Sequence, residues 1–329
     1  MKIAILDDYQ DCVRRLDCFR LLDGHEAKVF TSSARGTGQL AIRLAPFDAL
    51  VLNRERTALP RALLEKLPNL KLISQTGKAG DHIDIRAAHA RGITIVEGAG
   101  DPTAPAELTW ALIMAASRKL PQYMANLKQG LWQTVSTQPE HNTLGTVLKD
   151  KTLGIWGYGR IGRLVAGYGR AFGMRVVVWG SDASRAAAAR DGYHAAPARE
   201  IFFSDCDIIS MHLRLTAETK HIVGPSDLDR MRPTALFVNT SRAQLVEPGA
   251  LESALHQGRP RYAALDVFEV EPLRADSPLL RMPNVLASPH LGYVERNSYE
   301  LYFRAAFQNV IAFANGVPRN VLNPVSRNS

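Results

Sequence analysis

Short aliphatic and β-branched runs recur along the chain, separated by stretches whose apolar residues fall at helical spacing. KIAIL (2–6), AKVF (27–30), ALVL (49–52), KLIS (71–74) and TIV (94–96) form a first series of candidate strands, with segments such as 60–67 and 84–91 reading as helices between them. A second series follows: TLGIWG (152–157), RVVVWG (175–180), DIISMHL (207–213), ALFVNTS (235–241), YAALDVF (262–268) and NVLASPH (284–290). Helices fit its gaps, among them 160–172 closed by Gly173, and 248–257 opened by Pro248 and closed by Gly258. Strands alternating with helices in this way predict an α/β fold with parallel sheets.

Between the two series lies PAELTWALIMAASRKLPQYMANLKQG (105–130), whose first half is apolar enough for a buried helix and which is expected to carry the chain from one domain to the next. ERNSYELYFRAAFQNVIAFANG (295–316) predicts one long helix that brings the chain back, so that the first domain owns both termini. The expected boundaries are 1–103 with 291–329 for the discontinuous domain and 104–290 for the inserted one. There is no low-complexity segment and no short repeat.

With 329 residues, 46% hydrophobic and 22% charged, the chain has the makeup of a globular protein large enough for two cores. MKIAILDDYQ is too acidic for a secretory signal, and no apolar stretch reaches the about 18 residues of a membrane span, so a cytoplasmic protein is expected. Cys12, Cys18 and Cys206 have no metal-ligand or disulfide spacing, which leaves buried thiols and no metal as the expectation. The formal charge of +8 raises nucleic acid as a partner. The basic residues are nevertheless scattered, with no basic run and no recognition motif. Anionic small molecules are the expected reason for the charge, with no nucleic acid and no membrane.

Two constellations carry chemistry. Gly157-Tyr158-Gly159-Arg160-Ile161-Gly162 follows a strand and opens a helix. In that context Gly157 permits the tight turn, Gly159 lets a pyrophosphate approach the backbone, and Gly162 lets helix and strand pack closely. The carboxyl ends of the second-series strands, where open α/β sheets bind ligands, offer Gly180, His212, Arg242, Asp266 with Glu271 just beyond, and His290. An Arg, a carboxylate and a His beside a nicotinamide are the parts needed to oxidise a 2-hydroxy acid: a fork for the substrate carboxylate, a proton carrier, and an anion to hold the imidazole. Gly180 stands where an NAD site would place an acid on the ribose. Asp182 lies two residues on, while Ser181, Arg185 and Arg214 offer donors to a 2′-phosphate, so NAD and NADP both stay open.

LGIWGYGRIG, HLRLTAET, LFVNTSRAQLVE, ALDVFEVEPL and SPHLGY, in this order and spacing, resemble the D-isomer-specific 2-hydroxyacid dehydrogenases over nearly the whole chain. The resemblance implies a nucleotide-binding domain of Rossmann type inserted into a discontinuous, flavodoxin-like substrate domain, a catalytic set of Arg242, Glu271 and His290, and NAD or NADP as cofactor. It further implies that Asp266 helps position the nicotinamide carboxamide and that the protein is a homodimer.

TGKAGDHID (76–84) looks like the family's substrate loop, placing Gly77, Lys78, Ala79 and Gly80 at the substrate carboxylate. Ala79 and His82 depart from the usual Gly and Asn, Ala243 from a usual Gly, and Arg214 from a usual Pro. Arg54 and Arg56 resemble the basic pair that phosphoglycerate dehydrogenases of this family direct at substrate phosphate; a solvated pair at a strand end is the alternative. The chain ends shortly after its last helix, so no appended regulatory domain is expected. The expected activity is interconversion of a D-2-hydroxy acid and its 2-keto acid, with D-3-phosphoglycerate on one side and glyoxylate or hydroxypyruvate on the other as candidates. A cofactor-sensing corepressor, which some relatives of this family are, is the rival of another class. Formate dehydrogenase is disfavoured because similar enzymes carry Gln where this chain has Glu271.

Overall fold

The computed structural model describes residues 1–34 and 36–322, which form two compact units, Met1–Asp101 with the residues from Glu295 onward, and Pro102–Val294. The expected tail of the first unit beyond Leu322 lies outside the described residues.

The first unit is built on β1 (Lys2–Ile5), β2 (Glu26–Val29), β3 (Ala49–Leu52), β4 (Leu72–Gln75) and β5 (Thr94–Glu97), paired in parallel in the order β2-β1-β3-β4-β5. This is the flavodoxin-like order. Helices α1 (Thr37–Leu44), α2 (Arg61–Leu64) and α3 (Ile85–Ala90) lie between successive strands. Strands β3 and β4 are buried at every position, as central strands covered on both faces must be. The returning helix α11 (Arg296–Ala314) packs against β4, where the Ser74 hydroxyl donates to the Ala306 carbonyl at 2.9 Å and Phe303 and Phe307 are buried.

The second unit opens with α4 (Thr103–Ser117) and α5 (Leu120–Leu127). Its sheet comprises β6 (Thr152–Trp156), β7 (Arg175–Trp179), β8 (His194–Ala195), β9 (Ile208–Met211), β10 (Leu236–Asn239), β11 (Tyr262–Leu265) and β12 (Val285–Ala287). All neighbours are parallel, in the order β12-β11-β10-β9-β6-β7-β8. The order is that of a doubly wound dinucleotide-binding sheet with one strand added. Helices α6 (Arg160–Ala171), α7 (Asp182–Arg190), α8 (Arg199–Asp205), α9 (Pro225–Leu228) and α10 (Ala250–His256) complete the crossovers.

The structure corrects the sequence reading in several places. Most second-series strands stop one to three residues before their apolar runs do, which puts Gly157, Gly180, His212, Asp266 and His290 on the turns beyond the sheet. Segment 105–130 holds two helices, because Lys119 turns left-handed (φ 53°) and Pro121, lacking an N–H, begins a new helix. Helix α10 starts after Pro248 because Gly249 caps it in the left-handed region (φ 74°). Strand β8, two residues long, is too short to show a period, and the 3₁₀ turns Val13–Arg15 and Asp17–Leu22 went unread. The second unit runs on to Val294, since the amides of Leu291 and Gly292 are bonded to Asp266; Glu295 then caps α11, accepting from the amides of Asn297 and Ser298. Cys18 and Cys206 are buried free thiols, whereas Cys12 is half-buried. Among the described residues no helix is long and apolar enough to cross a membrane, and no cluster of metal ligands occurs.

Candidate active site

At the end of β6 the chain turns through Gly157 (φ +99°), where a Cβ would stand 2.8 Å from the His212 carbonyl oxygen. Gly162 lies in the first turn of α6, and a Cβ there would come within 2.2 Å of the Gly157 oxygen. Neither position has room for a side chain, Gly157 because of the turn's left-handed backbone and the His212 carbonyl, and Gly162 because of the Gly157 carbonyl. Gly159 caps α6 without a side-chain hydrogen bond, and a Cβ built on it would meet nothing within 4 Å. Gly159 and Arg160 are exposed where α6 begins, at the positive end of its dipole, and this fits the pyrophosphate of a dinucleotide.

Beyond β7, Gly180 (φ +150°) leads into Ser181, whose hydroxyl caps α7 by accepting from the Ser184 amide at 3.3 Å. Asp182 is paired with Arg185, and that guanidinium lies 4.8 Å from the centre of the Trp179 ring. The strand end thus presents a carboxylate already neutralised by a neighbour. His212, just past β9, shares a 2.9 Å hydrogen bond with the Ser210 hydroxyl. Burial lowers its pKa to about 4, so the ring is neutral at physiological pH.

The turn after β10 is built to hold Arg242. The Asn239 side chain accepts from the Ser241 amide at 3.0 Å and donates to the Arg242 carbonyl at 2.9 Å, while the Ser241 hydroxyl donates to the Leu213 carbonyl at 2.6 Å. Past β11, Glu271 Oε1 accepts from the Phe268 amide at 2.9 Å, and Oε2 lies 2.6 Å from His290 Nδ1. Burial works to raise the Glu271 pKa. The His290 hydrogen bond and charge, the Phe268 amide and the Arg242 charge outweigh it and hold the carboxyl below its usual range. With Nδ1 engaged by a carboxylate, the imidazole has Nε2 left for proton exchange. His290 itself is left-handed (φ 53°), and its ring meets Tyr293 edge-on at 5.9 Å.

Asp266 is fully buried. Oδ1 accepts from the Ser288 hydroxyl at 2.6 Å and the Leu291 amide at 2.8 Å, and Oδ2 from the Gly292 amide at 2.9 Å. Burial pushes its pKa up against those three bonds and the His290 charge. Its carboxylate therefore serves the segment that carries His290.

In the first unit, Arg54 (φ 57°) donates from Nη1 to the Thr76 carbonyl at 3.2 Å and lies 5.3 Å from the centre of the Tyr302 ring. It presses on Gly77, where a Cβ would strike Nη1 at 1.9 Å. Arg56 donates to the Asp7 carbonyl at 2.7 Å and covers Tyr9 at 4.5 Å. Arg54 and Arg56 are both half-buried residues. In the loop itself, Glu97 accepts from the Ala79 amide at 2.8 Å and pairs with Lys78 at 2.8 Å, and Gly80 abuts Glu55. His82 lies 3.1 Å from the Gln75 side-chain oxygen, and Arg214 is exposed. Asn239, Ser288 and Glu97 were missed in the sequence, although the first two sit inside the NTSR and SPH stretches.

The model of the D-isomer specific 2-hydroxyacid dehydrogenase NAD binding domain matches residues 110–292. The chain belongs to this dehydrogenase family. It is 39% identical to a glyoxylate reductase of Aeropyrum pernix over 79% of this chain and 78% of that one. It is 34% identical to a D-3-phosphoglycerate dehydrogenase of Methanocaldococcus jannaschii over 89% of this chain, but spans only 53% of that longer protein. Among solved structures, an oxidoreductase of Ralstonia solanacearum superposes with a TM-score of 0.96 at 54% identity, covering 98% of this chain and 97% of the other. A phosphoglycerate oxidoreductase of Vibrio cholerae superposes at 0.92 and 54% identity, covering 96% and 99%. The chain is accordingly an oxidoreductase of a nicotinamide-using family whose substrates are small 2-hydroxy and 2-keto acids.

Proposed function

We propose that this dehydrogenase reduces a small 2-keto acid to the D-2-hydroxy acid, and runs the reverse, with Arg242, Glu271 and His290 as its catalytic residues. The 2.6 Å contact between Glu271 and His290 carries the reading, since it pairs a carboxylate kept ionised with an imidazole able to cycle a proton. Arg242 clamps the substrate carboxylate through its planar fork. His290 donates its Nε2 proton to the keto oxygen as the carbonyl carbon is reduced, and Glu271 stabilises the imidazolium before and the imidazole orientation after. The nicotinamide, when bound, supplies the hydride. Residues 77–80 are assigned to the substrate carboxylate, and Gly157, Gly159, Arg160, Ile161 and Gly162 to the pyrophosphate.

NAD and NADP both serve in this reading, because Gly180 neither bonds a ribose hydroxyl nor repels a phosphate and Asp182 is paired with Arg185. The protein is a homodimer on the same footing: Leu120, Met124, Leu127, Trp132, Leu144 and Val147 expose a run of apolar side chains within one segment. Two substrate readings have support. Relatives of comparable length are named glyoxylate reductases, while Arg54 and Arg56 and the phosphoglycerate oxidoreductase structure favour D-3-phosphoglycerate. Steady-state rates on glyoxylate, hydroxypyruvate and D-3-phosphoglycerate, each with both cofactors, test all of this. Turnover on none of them removes the catalytic reading in favour of a binding protein.

A further inference from the structure

We propose that Ser288 and Asp266 are positioning residues that clamp His290 from both sides and hold its left-handed backbone against Glu271. The inference rests on the catalytic reading of His290 given above.

Strand β12 ends at Ala287, and the next five residues are Ser288, Pro289, His290, Leu291 and Gly292. The Ser288 amide donates to the Leu265 carbonyl at 2.8 Å, and its hydroxyl donates to Asp266 at 2.6 Å. Pro289 has a ring-locked φ. The His290 amide then turns back to the Ser288 carbonyl at 2.9 Å, and the following two amides, of Leu291 and Gly292, close on the same Asp266 carboxylate. One buried carboxylate therefore receives three donors that flank His290 on either side. Asp266 is itself anchored, its amide donating to the Asn239 carbonyl at 3.0 Å.

The clamp explains how a residue with a Cβ stays at φ 53°. That conformation is disfavoured for any L side chain, and a free turn would relax to the extended region and swing the imidazole off Glu271. A carboxylate is needed at 266 because an amide in its place would set an N–H₂ against a backbone N–H. Gly292 also lies close, with room for a Cβ only at 3.4 Å from Asp266 Oδ2.

The test uses Ser288→Ala, Ser288→Thr and Asp266→Asn. Ser288→Ala should lower kcat on the order of tenfold, as losing one hydrogen bond to a charged group does. It should also move the basic limb of the reductive pH profile to lower pH, and leave cofactor affinity by fluorescence titration within about twofold. Ser288→Thr, which keeps the hydroxyl, should restore both rate and profile. Asp266→Asn should cost more; should it not fold, the Ser288 pair decides. Independently of turnover, amide hydrogen exchange of Leu291 and Gly292 in the cofactor-free protein should speed up in Ser288→Ala and not in Ser288→Thr. An unchanged pH profile together with unchanged exchange overturns the clamp. So does a loss of cofactor affinity that accounts for the whole loss of rate. If the unaltered protein turns over no 2-keto acid, the catalytic reading fails, while the exchange measurement still judges the clamp.

Discussion

The two parallel sheets end in charged residues at their carboxyl edges, and they treat those charges differently. On the seven-stranded sheet, Glu271 and His290 face each other at 2.6 Å, with the Arg242 charge acting on the same carboxylate. On the five-stranded sheet, Arg54 and Arg56 each donate to a backbone carbonyl and lie over an aromatic ring. The first edge leaves an acid–base pair whose members answer to one another. The second commits its cations to shaping the loop at Gly77 and the turn at Asp7. The two groups of charges share a place just past strand ends and differ in their surroundings, an acid beside an imidazole on the one sheet and guanidiniums on backbone carbonyls and aromatic rings on the other.

The largest expected effect breaks the comparison at its strong end. Replacing Arg242 with Lys keeps the charge and loses the fork, so kcat/KM on the preferred keto acid should fall about a thousandfold with cofactor affinity intact. A rate near normal would take Arg242 out of the site. Next comes Glu271→Gln, for which a loss on the order of a hundredfold in kcat is expected. The reductive pH profile should shift to lower pH as well, because the imidazolium loses its anionic neighbour. A profile that stays in place would show the pair to be structural.

The weaker edge is sharpened by the double change Arg54→Ala and Arg56→Ala. If these guanidiniums also receive a substrate phosphate, efficiency on D-3-phosphoglycerate should drop at least about tenfold more than on glyoxylate. Equal losses on both would confine the pair to bracing the loop.

The smallest effect lies away from both edges, at the start of β11. There Lys119, only 7% exposed, donates to the Tyr262 hydroxyl at 2.6 Å and to Thr143 at 2.5 Å. Burial works to raise the Tyr262 pKa, but the hydrogen bonds from Lys119, Thr143 and Arg261 and the Lys119 charge bring it down to about 8. A lowered phenol stabilises the fold in its ionised state, so the gain is complete above the ordinary tyrosine range near 10 and is lost as pH falls through about 8. The near-ultraviolet phenolate absorbance should show one tyrosine titrating there, absent in Tyr262→Phe, and the melting temperatures of the two proteins should converge from pH 10 to pH 7. An absorbance rise confined to the ordinary range would refute the pairing.

The sequence by itself determined the α/β class, the two series of strands, the glycine turn at 157–162 and the order of Arg242, Glu271 and His290. These are short-range features: an apolar run, a residue without a Cβ, a residue type placed just after a strand. The break at Lys119, the late end of the second unit at Val294, and the burial of Asp266 were decided by the tertiary structure. Each depends on groups far apart in the chain, Lys119 on Tyr262, the end at Val294 on the bonds from Leu291 and Gly292 to Asp266, and Asp266 on Ser288 as well. In the sequence Asp266 and Glu271 are two acids five residues apart, told apart only by the family resemblance. Folding buries one under three donors and leaves the other about a third exposed beside an imidazole, and the roles diverge because a carboxylate answers to the donors that surround it.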